Sequence, residues 1–295
     1  LTAATGTPSR LVLLTGFALL AFAGNSLLTR AALADGVISP GGFAAISPGA
    51  FAAIRLASGA AALALLAHRR GAILPGKADL GGIIALFVYA AGFSFAYGQL
   101  TTATGALILF ASVQIALMAA ATIAGRPPRP LEALGIAVAL AGLAWLLAPG
   151  LAAPTLAATA LMVAAGTAWA GYTLLGRGAG DPAARSARNF IGAAPLGLVL
   201  LLVPVNAGGG PLHASPAGVA LAVASGAVTS GLGYIAWYAV LPRLSVATAG
   251  VVQLLVPAVA AAGGALWLGE ALSARLLAAT AIILSGIALS LFARR

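Results

Sequence analysis

At 295 residues, 62% of them hydrophobic and only 7% charged, with a mean hydropathy of +1.09, the chain has too few polar groups to cover a water-soluble globule. That excludes a soluble fold and points to an all-α integral membrane protein, and the lack of cysteine excludes disulfides and thiolate metal sites. The formal net charge of +10 would point to nucleic acid in a soluble protein, but the placement of the cations accounts for it here without such a partner.

The leading residue, Leu1, is read as the product of trimming or processing. An apolar run from about Leu11 to Ala34 follows, long enough to cross a hydrocarbon core that takes roughly 20 helical residues. Its end, AALADG, contains an A-x-A resembling a signal-peptidase site. The run is longer than a cleavable h-region, and its polar Gly24-Asn25-Ser26 patch has a counterpart later in the chain, so a retained span is expected. SPGGFAAI at Ser39–Ile46 is followed at once by SPGAFAAI at Ser47–Ile54, a local duplication that is either a native long loop or an artefact.

The second span runs from about Gly49 to Ala67 and contains Arg55. Span three covers Leu80 to Gly98 and span four Thr101 to Ala124, joined too closely for anything but antiparallel neighbours. Span five covers Leu131 to Ala148, after which Pro149, Gly150 and Pro154 mark a boundary between halves 1–150 and 151–295. Five more spans are expected at Thr155–Leu175, Asn189–Val205, Ala217–Leu241, Ser245–Leu268 and Arg275–Ala293.

The halves resemble each other. Leu100–Leu147 aligns without a gap on Leu244–Leu291 at an offset of 144 residues, pairing Thr104 with Thr248, Gly125 with Gly269 and Gly142 with Gly286. GNSLLTR at Gly24–Arg30 echoes GYTLLGR at Gly171–Arg177 at an offset of 147. Five spans per copy is an odd number, so the second copy enters the membrane upside down. The expected architecture is ten transmembrane helices as two inverted five-helix repeats, an arrangement typical of transporters. With the N-terminus in the cytoplasm, twelve Lys and Arg residues fall on the inner side, Arg30 and Arg275 fall outside, and Arg55 lies within a span. The positive-inside rule then places both termini in the cytoplasm of a bacterial-type inner membrane.

Pro257 leading to Trp267-Leu268-Gly269-Glu270, followed by a last helix containing Gly286, resembles the EamA-type drug/metabolite transporter superfamily over essentially the whole chain. At the matching turn of the first half, where that family often has an acidic residue, this chain has Gly125-Arg126. The aromatic-rich spans look most like the YddG-type exporters of aromatic and other amino acids. The resemblance implies a secondary transporter, not an enzyme, working by alternating access on small amphipathic metabolites, amino acids first among them.

A transport site needs polar or aromatic groups near the midplane between the repeats. Tyr89, Phe93 and Tyr97 recur every four residues on one face of span three, and span eight carries Tyr234, Trp237 and Tyr238. Span six carries Trp169, Tyr172 and Thr173, and span four Ser112 and Gln114. Tyr97 and Tyr238 lie near span ends and read as belt or packing residues. Tyr89, Phe93, Trp169 and Tyr234 lie deeper, and they are expected to border a common aqueous cavity, with Asn25 and Gln114 supplying hydrogen bonds. Alanine at Tyr89 or Trp169 is expected to weaken flux and leave the melting temperature near that of the parent. Gln253 reads as an interhelical hydrogen-bonding group and Ser225, Thr229 and Gly233 as a packing seam. Arg55 has two readings: it snorkels to the outer interface or pairs structurally, or it meets a substrate carboxylate.

No Asp or Glu falls in the middle of an expected span, so a buried carboxylate relay for protons is not expected, and no Walker A sequence is present. The implied partners are a small-molecule substrate and the lipid bilayer, with no nucleic acid, no cofactor and no metal; no residue pattern bears on oligomeric state. The alternatives are a permease of the same superfamily for another metabolite or a drug-like cation, and, from other classes, a membrane-embedded enzyme or a channel. The enzyme would need clustered His, Asp, Glu or Cys, and the channel a carbonyl filter or a charge ring.

Overall fold

The computed structural model describes residues 8–34, 45–68, 73–125, 129–147, 154–176, 181–203, 212–244, 249, 252–253 and 255–292. Apolar sequence in lipid must satisfy its own backbone, and the described chain does so with helices. These are α1 (Pro8–Leu33), α2 (Pro48–Ala67), α3 (Leu80–Tyr97), α4 (Thr102–Ile123), α5 (Pro130–Leu147), α6 (Leu156–Gly176) and α7 (Pro182–Val199). They continue with α8 (Pro216–Ala224), a π-helical segment (Ser225–Leu232), α9 (Gly233–Val240), α10 (Leu255–Leu268) and α11 (Ala274–Phe292). By length and hydropathy six stretches reach the dimensions of a membrane span: Ser9–Leu33, Pro48–Ala67, Lys77–Tyr97, Thr102–Ile123, Leu156–Gly176 and Pro216–Arg243. Shorter apolar helices are Pro130–Leu146, Leu255–Leu268 and Ala274–Ser290.

Local chemistry sets the helix starts. Ser47-Pro48, Asp181-Pro182 and Ser215-Pro216 open α2, α7 and α8, with proline where the missing N–H has no helical partner. The Asp181 carboxylate accepts from the Ala184 N–H at 2.9 Å and the Ser215 hydroxyl from the Gly218 N–H at 3.1 Å. This cap moves the start of α7 to Pro182, ahead of the Asn189 expected from hydropathy, and puts Arg185 and Arg188 on the helix. Arg188 Nε then meets Asp79 Oδ1 at 3.0 Å, tying α7 to the foot of α3.

Two helix ends share a glycine turn. Among the described residues, the glycines at positive φ are Gly125 (77°), after α4, and Gly269 (66°), after α10. Both occupy the left-handed C-terminal position that glycine enters at little cost, and they are equivalent in the 144-residue register. The duplicated Ser39–Ile54 stretch is described only from residue 45. Its second copy supplies Ser47 and the first turns of α2, and residues 39–44 lie outside the described residues. Ile46 pairs with Ala214, and Ser47 N–H donates to His213 O at 2.9 Å, joining the entries to α2 and α8.

Many of the helix pairs join elements far apart in the chain. α2 packs on α7, α5 on α11, and α4 on α10. α3 packs on α6, while α1 packs on the π-helical segment and α9; α4 also meets α6, and α1 meets α10. At the α5–α11 contact a Cβ on Gly135 would stand 2.5 Å from Gly286 O, so glycine lets the two backbones touch. Leu13, Ile123, Leu156 and Leu266 point outward, as do Trp145 and Trp267, whereas Trp169, Trp237 and the tyrosines are buried.

Candidate functional site

The centre of the bundle is organised on Arg55. It sits on the inward face of α2 beside buried Phe51 and Leu56, and only 1% of it is exposed. Its Nε donates to Ser230 Oγ at 3.1 Å, and its Nη2 donates to the hydroxyls of Tyr89 at 3.1 Å and Tyr234 at 3.2 Å. The guanidinium carbon also lies 5.0 Å from the ring centroids of Tyr89 and Phe93, within cation–π range. Snorkelling therefore does not occur. Three hydroxyls from α3, the π-helical segment and α9 draw the side chain inward, and the outward rotamer would forgo them.

The π-helical segment brings Ser230 to Arg55. A Cβ on Gly226 would overlap Arg55 O and Ser58 Oγ, so glycine at 226 lets this segment lie directly against α2. A π turn inserts a residue into the helical register and so re-aims the side chains that follow it. Here Ser225 and Thr229 face α1 and both donate to Asn25 Oδ1. The Asn25 Nδ2 donates in turn to the Tyr89 hydroxyl at 3.0 Å. One continuous network thus runs from Ser225 and Thr229 through Asn25 and Tyr89 to Arg55, and on to Tyr234 and Ser230.

Aromatic rings close over this network. Trp169 of α6 lies 4.7 Å from Tyr234, 5.1 Å from Tyr89 and 5.4 Å from Phe22 between ring centroids. Tyr89 and Phe93 are 5.2 Å apart. These are the separations at which tilted and edge-to-face rings attract. The rings were expected to border an aqueous cavity. In this conformation they pack against one another, in tilted contacts between Tyr89, Phe93, Trp169 and Tyr234 and edge-on between Phe22 and Trp169. Trp169 Nε1 approaches Gln253 Oε1 at 3.5 Å, and Gln253 Nε2 donates to Ala249 O at 3.0 Å.

Of the residues singled out from sequence, Asn25, Arg55, Tyr89, Phe93, Trp169 and Tyr234 meet in this cluster. Trp237 is fully buried on α9, 5.6 Å from Phe22, and joins its edge. Gln114 is buried on α4, a helix that packs chiefly on α6 and α10. Tyr97 and Tyr238 are buried packing residues, not a lipid-facing belt; their hydroxyls donate to Thr102 O and Tyr172 O at 3.3 and 3.2 Å. Sequence reasoning missed Ser230, Phe22 and the polar task of Ser225 and Thr229. The dense small and hydroxylic run SGAVTSG within span eight was the available signal.

A second polar link stands at one end of the bundle. Arg30 Nε meets Glu270 Oε1 at 3.1 Å, and Arg30 Nη1 donates to Tyr97 O at 3.1 Å. Both Glu270 oxygens also accept the Thr102 N–H, at 3.0 and 2.8 Å, so a residue just past the end of α10 caps α4.

The sequence profile of the EamA-like transporter family matches residues 156–292. "Uncharacterized protein PA1977" of Pseudomonas aeruginosa is 50% identical over 286 residues, covering 97% of this chain and 96% of that protein. The "Threonine/homoserine exporter RhtA" proteins of Salmonella typhimurium and Escherichia coli are 35% identical over 178 residues, 57% of either chain. A solved crystal structure superposes with a TM-score of 0.65 at 22% identity, over 97% of this chain and 99% of that one, a likeness of fold. Residues 156–292 thus match the EamA-like transporter family, and the similarity to these exporters supports a place in the drug/metabolite transporter superfamily.

Proposed function

We propose that this protein is an inner-membrane secondary transporter that exports amino acids, favouring those with large apolar side chains, by alternating access of two inverted halves, 1–150 and 151–295. The observation that carries this reading is the Arg55 network, in which α1, α2 and α3 of the first half meet α9 and the π-helical segment of the second across one closed cluster. A site built from both halves changes its access when one half rocks against the other. The cross-pairing of helices supports a two-fold relation: α2 with α7, α5 with α11, and α3 on α6 where α1 is on α9. The equivalent positive-φ glycines, Gly125 and Gly269, support the same relation.

Ten spans, with both termini in the cytoplasm, fit the contacts. Arg30, Glu270, Thr102 and Tyr97, all assigned to the outer side by the charge count, meet at one end, while Asp79 and Arg188, assigned to the inner side, meet at another place. Relatives described as threonine/homoserine exporters support amino acids as the class. The ring cluster of Tyr89, Phe93, Trp169 and Tyr234 favours large apolar side chains, as in the YddG-type exporters. A drug-like cation is disfavoured by the buried charge of Arg55. The test is counterflow in proteoliposomes loaded with phenylalanine, leucine, threonine or homoserine. Saturable exchange of at least one of them is expected, with phenylalanine and leucine ahead of the hydroxylated pair. No exchange of any amino acid overturns the proposal.

A further inference from the structure

We infer that Arg55 is a carboxylate receptor, so that the molecules this protein accepts carry a carboxylate, and amines lacking one are refused. The inference rests on the transporter reading only for the ligand's identity as cargo; the anion site itself stands on the geometry. A guanidinium presents five N–H donors and stays charged in proteins. Arg55 uses Nε on Ser230 and Nη2 on Tyr89 and Tyr234, all neutral hydroxyls, and Nη1 is buried with no hydrogen-bond partner. The carboxylates of the described residues are engaged elsewhere: Asp79 with Arg188, Glu132 with the Arg129 N–H, Asp181 at the start of α7, and Glu270 with Arg30. A buried charge without a counter-ion is unfavourable, and a structural arginine would be expected to have acquired an acid. A planar cation with a donor to spare, held rigidly by three hydroxyls, is instead suited to a planar anion that comes and goes. An ammonium on the same molecule finds no acid among the contacts of the described residues, only the surrounding aromatic rings, of which Tyr89 and Phe93 already meet the guanidinium.

The experiment uses the full chain in lipid nanodiscs and reads the intrinsic fluorescence of Trp169 and its neighbours during titration. The probes are benzoate, phenylalanine and phenylalaninamide, the last keeping ring and ammonium while losing the carboxylate charge. Benzoate and phenylalanine should bind saturably, and the amide about tenfold more weakly or worse, the loss expected for one charge-assisted hydrogen-bonded contact. Arg55→Met should abolish binding of both carboxylates, and Arg55→Lys, which keeps the charge but not the fork, should fall between. Without ligand, Arg55→Met should melt at or above the parent temperature, because it removes a charge that has no counter-ion among the described residues; a purely structural arginine would give a lower one. Amide binding as tight as phenylalanine, no carboxylate binding by the parent, or undiminished carboxylate binding by Arg55→Met would each overturn the inference. If Arg55→Met does not fold, the comparison of acid and amide on the parent decides alone. Arg55-dependent binding without flux in proteoliposomes would overturn the transport reading and leave the receptor standing. Amino-acid flux unchanged in Arg55→Met would do the reverse.

Discussion

Tyr89 is the residue on which the two parts of the network depend, since its hydroxyl accepts from both Asn25 Nδ2 and Arg55 Nη2. Tyr89→Phe keeps the ring stack with Trp169 and Phe93 but strands two buried donors. A loss of about 1–3 kcal/mol in stability is expected, with weaker counterflow. Thermal melting in detergent and proteoliposome exchange read the two effects separately, and a parent-like result in both would show that this hydroxyl is dispensable. Trp169 calls for a different substitution. Its ring touches Phe22, Tyr89, Tyr172 and Tyr234, so truncation to alanine would leave a large void and cost about 3–5 kcal/mol. The sequence-based expectation of an unchanged melting temperature for alanine at 169 conflicts with that packing. Trp169→Phe keeps most of the ring volume and removes only the indole N–H facing Gln253, so flux should fall while the fold survives.

Two short pieces of backbone govern how the helices meet. The π-helical segment Ser225–Leu232 approaches α2 because residue 226 lacks a Cβ. Gly226→Ala would drive α2 and the segment apart and separate Ser230 from Arg55. The other piece is the turn after α10, where Gly269 at φ 66° turns the chain so that Glu270 reaches both Arg30 and the Thr102 N–H. Glu270→Ala removes an ion pair and a helix cap together, and should lower stability by about 1–3 kcal/mol in a thermal melt. Rescue to parent stability by removing Arg30 as well would show that the stranded cation, not the lost cap, accounts for the effect. In the repeat register Glu270 corresponds to Arg126, and Arg30 to Arg177. Two cations cannot form the same pair, so this acid–base link belongs to one end of the bundle.

For the whole molecule, the cysteine-free sequence allows a direct test of orientation, since an introduced thiol has no background. In intact spheroplasts a membrane-impermeant maleimide should label Ser273→Cys and leave Lys77→Cys untouched until the membrane is opened; the reverse pattern would invert the proposed topology. Energetics can be tested on the same protein. Among the described residues the contacts of the central cluster include no carboxylate, so steady-state accumulation should follow the substrate gradient and respond little to an imposed pH gradient. A steep response would require a proton carrier outside the Arg55 network.

Membrane class and nearly all helix positions follow from the sequence alone, because hydropathy over about 20 residues and backbone satisfaction in lipid are local properties. Gly125 and Gly269, paired by the 144-residue offset in the sequence, both stand in left-handed turns. Local capping chemistry at Asp181-Pro182 was present in the sequence as well, and it overrode the hydropathy boundary. Only the tertiary structure decided where Arg55 points. Its inward rotamer is held by Ser230 and Tyr234, 175 and 179 residues further along the chain, and hydropathy carries no signal of such partners. The π turns were equally out of reach, since they arise where Gly226 lets one helix press on another. Aromatic spacing every three or four residues marked the right faces, but whether those faces line water or close on one another depends on how two distant halves are packed together.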